Sequence, residues 1–345
     1  MKSCKMGGQA VIEGVMMRYR NNVAVSVRKP DGNISVGYMK YANASVKHPW
    51  MGKPLIRGVV SFIDSLALGI KTLMYSASVF EEEAPEEGKV SGEDVQVVTE
   101  SMKKKESSKS EAALMTGTVM FSLLVSVALF VLLPYFVSSF ITRFSDSTFL
   151  LAVVEGVIKV GIFIGYMAVI SLMPDIKRTF MYHGSEHKCI NCIESGKELT
   201  VDNVMSSSKE HRRCGTSFIF FVLLISIIFA MFIRVDQWWL RLVIRLLLIP
   251  VIAGVSYEFI QWAGNTDAKI AYILSKPGLW MQALTTKEPE RDMVEVAIES
   301  VEHVFDWRKY LDDMKNDPDF YKDDTSCKPG KGTCVKDPYE VRARI

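Results

Sequence analysis

The stretch TGTVMFSLLVSVALFVLLPYFVSSFI, Thr116 to Ile141, decides the class of this chain. It carries no charged residue and exceeds the roughly 20 residues that a helix needs to cross a bilayer. Pro134 inside it predicts a kink. Composition agrees: 49% of the 345 residues are hydrophobic, eighteen are Met, and mean hydropathy is positive, which argues against a purely soluble protein. Outward from this run, three further apolar segments follow, so spans are expected near 116–141, 149–173, 216–233 and 238–262.

The second and fourth segments carry charges. Glu155 and Lys159 lie four apart in one, Arg241 and Arg245 four apart in the other. At about 1.5 Å per residue, Glu155 and Arg245 fall at similar depth. An interhelical ion pair is expected, because a lone charge in lipid is costly; the functional alternative is a polar track through the bundle.

Basic residues orient the spans. Lys103, Lys104, Lys105 and Lys109 precede the first; Lys177, Arg178, Lys188, Lys197, Lys209, Arg212 and Arg213 lie between the second and third; the two opposite loops hold only Arg143 and Arg234. The expectation is a bacterial plasma-membrane protein with both termini and the loop 174–215 cytoplasmic. MKSCKMGGQAVIEG lacks an apolar core with a small-residue cleavage site, so entry through the spans is expected. The six Cys then face a reducing compartment, Cys327 and Cys334 of the tail included, which favours thiols or metal ligation over disulfides. A net charge of +2 gives no reason to expect a nucleic-acid partner; membrane lipids, a membrane protein or a second copy are the expected partners.

The fold class that results is an α-helical integral membrane protein of about four transmembrane helices, with a small N-terminal cytoplasmic β unit and a C-terminal amphipathic helix. Residues 1–50 read as β structure, with KPDGN supplying hairpin chemistry at Asp31, Gly32 and Asn33. Residues 51–80 read as a helix in the membrane interface or against the spans, with Arg57, Ser61, Asp64 and Lys71 on one stripe. Residues 81–111 shift to EEEAPEEG and KKKESSKSE and read as a disordered charged linker. The membrane domain is 112–290. In 291–345, RDMVEVAIESVEHVFDWRKY is a soluble amphipathic helix on which His303 is a surface or packing residue.

Chemistry concentrates in YHGSEHKCINCIE, Tyr182 to Glu194, which holds two of the chain's five His. His183 and His187 share one helix face and Glu186 stands beside them. This HxxEH spacing suits two imidazole ligands to one divalent ion with a carboxylate as general base. Pro174 and Asp175 favour a helix start and Gly196 a stop, while Gly184 weakens the helix locally. Two ligands do not complete a zinc shell. The candidates for the rest are His211, Cys214, Cys189, Cys192, Glu194, Glu258 and Asp267. With Glu258 the site would be open to water; with Cys189 or Cys192 beside Cys214 it would be closed and structural.

The motifs GGQAVIEGVMMR, HPWMGKPLIRGVVSFIDSLALGIKTLMYSA, YHGSEHKCINCIE, HRRCGTSF and PGLWMQALTTKEPERDMVEVAIESV together resemble the YqhQ-like family of bacterial multi-pass membrane proteins, a family of unknown function described as predicted metal-dependent enzymes. The resemblance runs from Gly7 to about Phe305 apart from the 81–111 linker and implies a metal but no reaction. His183, Glu186 and His187 match its HGxEH core, Glu13 its GGQAVIEGVMMR segment, and His211, Cys214 and Gly215 its HPRCGTSF segment, where Arg212 stands in place of proline. The expected site therefore has Glu186 and Glu13 as catalytic groups, His183, His187, Glu258, His211 and Cys214 as metal ligands, and a divalent ion such as zinc. The expected activity is metal-dependent hydrolysis of a membrane-associated peptide or lipid. Against it stand a non-enzymatic membrane scaffold with a structural His/Cys site, and a transporter using the intramembrane charges.

Overall fold

Short apolar runs at the N-terminus pair as a meander in the computed structural model, which describes residues 4–42, 49–81, 95–97, 109–140, 147–233, 235, 237–264, 266 and 268–316. Strands β1 (Gly7–Val11), β2 (Gly14–Tyr19), β3 (Asn22–Arg28) and β4 (Ile34–Lys40) are successive antiparallel neighbours, and β5 (Val95–Val97) adds in parallel to β4. The β3–β4 hairpin is the expected one: Gly32 takes φ +88° and the Asn33 N–H donates to Asp31 Oδ1 at 2.9 Å. Successive side chains point to opposite faces. Met16, Val23, Val25, Val27 and Met39 line one core, while Val15, Met17, Tyr19, Ala24 and Val36 line another.

Helix α1 (Ile56–Glu81) covers the first face through Leu68, Tyr75 and Val79. Its opposite side leaves Ile63, Leu66, Ile70 and Met74 exposed. The second face is covered by α5 (Pro174–Glu194) and α10 (Arg291–Glu302), with Ile190, Ile193, Met293, Ala297 and Val301 in the core. Ser300 Oγ donates to the Ala24 carbonyl at 3.0 Å. Helix α11 (Trp307–Asn316) adds Trp307, Tyr310 and Leu311 to the same cluster. The N-terminal strands and the C-terminal amphipathic helix, distant in sequence, thus share one hydrophobic core.

Helix α2 (Lys109–Val127) continues through a π turn, Ala128–Leu132, into α3 (Leu133–Ser139). Pro134 has no N–H to donate to the carbonyl four residues back, and the widened turn lies immediately before it. Helices α4 (Thr148–Ile170), α7 (Gly215–Phe232) and α8 (Trp238–Gly264) follow the expected apolar segments closely. Among the described residues four helices are long and apolar enough to cross a membrane: Ile56–Phe80, Phe149–Ile170, Gly215–Phe232 and Val243–Gly264; Gly117–Phe130 is a shorter apolar stretch. This set includes α1, where sequence reading counted the 116–141 run instead.

Between α4 and α7 the chain forms α5 and the short α6 (Val201–Met205), and after α8 comes α9 (Lys269–Thr285), a helix that sequence reading left unassigned. Most of the 81–111 linker, the tail with Cys327 and Cys334, and Asp267 lie outside the described residues.

The expected pair between the two apolar helices forms. Glu155 accepts from Arg245 Nη1 at 2.6 Å and Nη2 at 2.9 Å, and Lys159 Nζ lies 2.8 Å from Glu155 Oε1. Removing one partner from a buried pair costs about 3–5 kcal/mol. Glu155→Ala should therefore markedly lower the thermal midpoint of detergent-purified protein. Lys159→Met should lower it much less, because Arg245 keeps both carboxylate oxygens; equal losses for the two variants would refute the bidentate pair as the structural link.

Candidate metal centre

Helix α5 begins with Pro174 at its first positions and Asp175 in its first turn, and ends before Gly196 at φ +77°. Positions four apart stack on one face, so His183 and His187 stand one above the other with ring centroids 4.3 Å apart. Helix propensity alone disfavours Gly184, yet a Cβ there would meet the Lys287 carbonyl oxygen at 2.0 Å. The glycine lets the 285–289 segment cross α5 closely, and the Lys287 N–H donates to the Phe180 carbonyl at 2.9 Å.

The same helix fixes the segment that follows α6. Lys188 Nζ donates to the carbonyls of Met205 and Ser207 at 2.8 and 2.9 Å, Asn191 Nδ2 to those of Ser208 and Glu210 at 2.6 and 2.9 Å, and His187 Nδ1 lies 2.7 Å from that of Lys209. Gln282 of α9 clamps the next residue, accepting from the His211 N–H at 2.9 Å and donating to its carbonyl at 2.7 Å. These bonds set the course of the chain to Cys214, the N-cap of α7.

There the side chains converge. His183 Nδ1 lies 2.9 Å from the Thr285 carbonyl, and its Nε2 lies 3.3 Å from Cys214 Sγ. A ring N–H that donates to a carbonyl leaves the other nitrogen as the lone-pair side, so both imidazoles turn Nε2 inward. One ligand atom each from His183, His187 and Cys214 fall within 4.8 Å of one another. A tetrahedral ion with Zn–N near 2.0 Å and Zn–S near 2.3 Å holds its ligand atoms roughly 3.5 Å apart. The donor set and spacing fit such an ion, with three protein ligands and one position left over.

Glu186 stands beside them, fully buried. The Gly8 N–H of β1 bonds its carboxyl group, a Cβ on Gly8 would meet Glu186 Cδ at 2.8 Å, and Glu186 Oε2 has no hydrogen-bond partner among the described residues. An orphaned buried oxygen is costly. It is a second observation that fits a group bound at this point.

The electrostatics follow from burial. Burial pushes the Glu186 carboxyl above its ordinary value, and the charges of His183 and His187 only partly offset this. Burial opposes charge on His183, but the Cys214 thiolate, their mutual hydrogen bond, Glu186 and the Thr285 carbonyl outweigh it and raise its pKa to about 10. Burial likewise opposes charge on Cys214, and His183 and His187 overcome it, holding the thiol well below its usual range. Cys189 is different: buried and near Cys192 and Glu186, its thiol is pushed well up.

Of the other described residues singled out from the sequence, the structure brings none into this group. Glu258 gives both oxygens to Arg57 of α1, at 2.7 and 2.5 Å. Glu13, at the β1–β2 turn with φ +48°, accepts from Arg178 Nε and Nη2 at 2.5 Å each and from the Tyr182 hydroxyl at 3.3 Å. His211 Nε2 lies 3.7 Å from Glu194 Oε2, and Glu194 Oε1 pairs with Arg213 and accepts from the Cys4 N–H at 3.0 Å. Cys192 donates to the Glu198 carbonyl at 3.4 Å. Sequence reasoning missed Gly8, Thr285 and Gln282, because they act through backbone contacts between remote segments. The one signal for the last two was a run of polar and small residues at helical spacing, Ser275, Gly278, Gln282 and Thr285.

Burial opposes ionisation of Glu194, but His211 and Arg213 override it and hold the carboxyl below its ordinary value of 4.5. A depressed carboxyl contributes stability above its unfolded pKa and loses it as pH falls through the folded one. Glu194→Gln should therefore melt well below wild type at neutral pH, with the gap closing as pH falls below 4.5; a gap independent of pH would show that Glu194 does not act as a charge.

The comparisons place this geometry in a family. A family model described as "Protein of unknown function (DUF1385)" matches residues 53–307, which include every ligand atom of the cluster. The chain is 36% identical over 297 residues to the "Uncharacterized protein YqhQ" of Bacillus subtilis (strain 168), covering 85% of this chain and 90% of that protein. No solved structure matches. The chain that carries the His183, His187 and Cys214 cluster belongs to the DUF1385 family of YqhQ-like proteins.

Proposed function

We propose that this chain is a multi-pass plasma-membrane protein that holds one divalent ion, zinc in type, through His183 Nε2, His187 Nε2 and Cys214 Sγ at the cytoplasmic face and hydrolyses a membrane-associated lipid or peptide. The observation that carries it is the convergence of three donor atoms beside a buried carboxyl oxygen that no described residue satisfies. The apolar helices α4, α7 and α8, with the run through α2 and α3, supply four crossings. The excess of Lys and Arg in 174–215 supports a cytoplasmic side for that loop. Helix α1 lies on the membrane surface in this reading, since half its circumference holds the sheet and the outer stripe of Ile63, Leu66, Ile70 and Met74 is apolar.

When bound, the ion supplies Lewis acidity to a substrate oxygen and acidifies water. The residues of the chain do the rest. His183 and His187 are held in one tautomer by the Thr285 and Lys209 carbonyls, which fixes their ring orientation as second-shell acceptors do in metal sites. Glu186 takes the proton of an attacking water and returns it to the leaving group, so that water is consumed and an ester or amide becomes an acid and an alcohol or amine. A carboxyl raised from 4.5 is better matched to proton transfer near neutral pH than an ordinary one. A three-ligand set leaves the open position that catalytic zinc sites keep, whereas a fourth protein ligand would close it.

One observation favours a second, metal-free reading: Cys214 Sγ lies 3.3 Å from His183 Nε2 at the N-terminus of α7, where a thiolate is stabilised. The pair would then be a thiolate nucleophile with its imidazolium. Metal analysis separates the two. Detergent-purified wild type should contain about one equivalent of divalent metal, His183→Ala and Cys214→Ala should lose it, and Glu186→Gln should keep it yet fail to rescue a deletion phenotype. Wild-type protein with no bound metal and no affinity in a titration would overturn the metal reading. Full rescue by Glu186→Gln would favour a scaffold.

A further inference from the structure

Helix α9 meets α7 along one stripe. Gln282 and Thr285 lie four and seven residues after Gly278, hence on its face of the helix. A Cβ on Gly278 would meet Phe221 at 2.9 Å and Ser217 Cβ at 3.0 Å, so the two helices touch where the stripe begins. Ser217 Oγ donates to the Gly278 carbonyl at 3.1 Å and accepts from Gln282 Nε2 at 2.9 Å. This fastening carries Thr285, itself fully buried, to the first turn of α7, where its Oγ1 lies 3.4 Å from Thr216 Oγ1.

Cys214 is the N-cap of α7, and an N-cap side chain ordinarily accepts from the N–H two or three residues on. The Cys214 side chain makes no such bond. Its sulfur turns instead toward His183 Nε2 at 3.3 Å and Thr216 Oγ1 at 3.0 Å, with His187 in hydrogen-bonding reach as well. When both imidazoles give their Nε2 lone pairs to an ion, neither has a proton on that nitrogen to offer the sulfur. Cysteine ligates as the thiolate, which only accepts. Of the polar side chains that these contacts bring to the sulfur, Thr216 is then the remaining donor.

We infer that Thr216 is a positioning residue of the metal centre: its hydroxyl donates to the Cys214 thiolate, and Thr285 Oγ1 donates to Thr216 Oγ1 and so fixes that direction. The inference rests on the metal reading above and deepens it. Thr285 acts on two ligands at once, because its carbonyl lies 2.9 Å from His183 Nδ1 while its hydroxyl orients the donor to Cys214. Its share is the smaller, since the Met281 carbonyl, also 3.4 Å from Oγ1, competes for the same proton. A hydrogen bond on a ligating sulfur draws charge away from the metal bond. A thiolate so held leaves the ion more of the acidity that water activation needs.

The test is a Co(II) titration of detergent-purified wild type, Thr216→Val, Thr216→Ser and Thr285→Val at one pH, reading the Kd and the sulfur-to-cobalt charge-transfer band. Val keeps the branched shape of Thr and removes the donor. Thr216→Val should raise the Kd at least about 10-fold, as loss of an outer-shell partner does, and move the band to longer wavelength, because a sulfur without its donor gives up charge more easily. Thr216→Ser should match wild type in both, and Thr285→Val should move the band in the same direction by less. A hydroxyl with a merely structural role would change the melting temperature and leave the band in place. An unmoved band in Thr216→Val overturns the inference and leaves the metal reading standing. If that variant takes up no cobalt, the Thr285→Val band decides, and its staying in place overturns the inference too. Wild type that binds Co(II) without a sulfur-to-cobalt band would remove Cys214 as a ligand and the inference with it. Wild type that takes up neither Co(II) nor zinc overturns both readings.

Discussion

Five backbone carbonyls between Met205 and Glu210 find their partners on one helix, through His187, Lys188 and Asn191. Carbonyls removed from water must be paired, so this segment has one low-energy course along α5, and that course delivers Cys214 to His183. The arrangement makes His187 both a fastening and an inward-facing donor: one ring nitrogen holds the segment and the other points to the cluster. Gln282 repeats the device from α9, closing on the backbone of His211 from both sides and accepting nothing from the cluster itself. The centre is therefore assembled by satisfied backbone, with the ligating atoms left over.

Two electrostatic systems sit side by side as a result. Glu194, His211, Arg213 and the Cys4 N–H form a satisfied network in which the carboxyl is held ionised. Glu186 lies among His183, His187 and Cys214 with one oxygen unbonded and its pKa pushed up. The histidine rings of His187 and His211 are only 5.6 Å apart between centroids. Proximity is similar but saturation is opposite, and that difference separates a bracing ion pair from a site with chemistry in reserve.

The junction between the apolar helices and the mixed sheet-helix unit depends on helices with two different faces. Helix α1 buries Leu68, Tyr75 and Val79 against the strands and exposes an apolar stripe on the other side. Helix α9 buries Ala271, Ser275, Gly278 and Gln282 and exposes Ile270, Ile273 and Trp280. In α9 most residues that face protein are small or polar and the large apolar ones named face outward, the reverse of a helix in water, whereas α1 is apolar on both sides. This inversion is the expected pattern where the surroundings of the outer face are lipid.

The local physics was legible in the residues themselves. Apolar length marked the helices 149–173, 216–233 and 238–262 despite their few charges, the KPDGN turn marked a hairpin, and the spacing of His183, Glu186 and His187 marked a helix face with ligating chemistry. Even the partner of Glu155 followed from depth counted along two helices. What the residues could not say is which distant atom meets which. Glu258, Glu13 and His211 carry groups as able to ligate a metal as the thiol of Cys214, and nothing local distinguishes a carboxylate that meets Arg57 or Arg178 from one that meets a metal. Which of these groups meets His183 was decided by packing: the Lys287 carbonyl passing over Gly184, the 205–210 carbonyls bound to α5, and the resulting 3.3 Å approach of Cys214 to His183. Helical periodicity is a property of neighbours within a turn, whereas the cluster joins His183 to Cys214 across 31 residues and to the Thr285 carbonyl across 102, and only the tertiary structure brings those together.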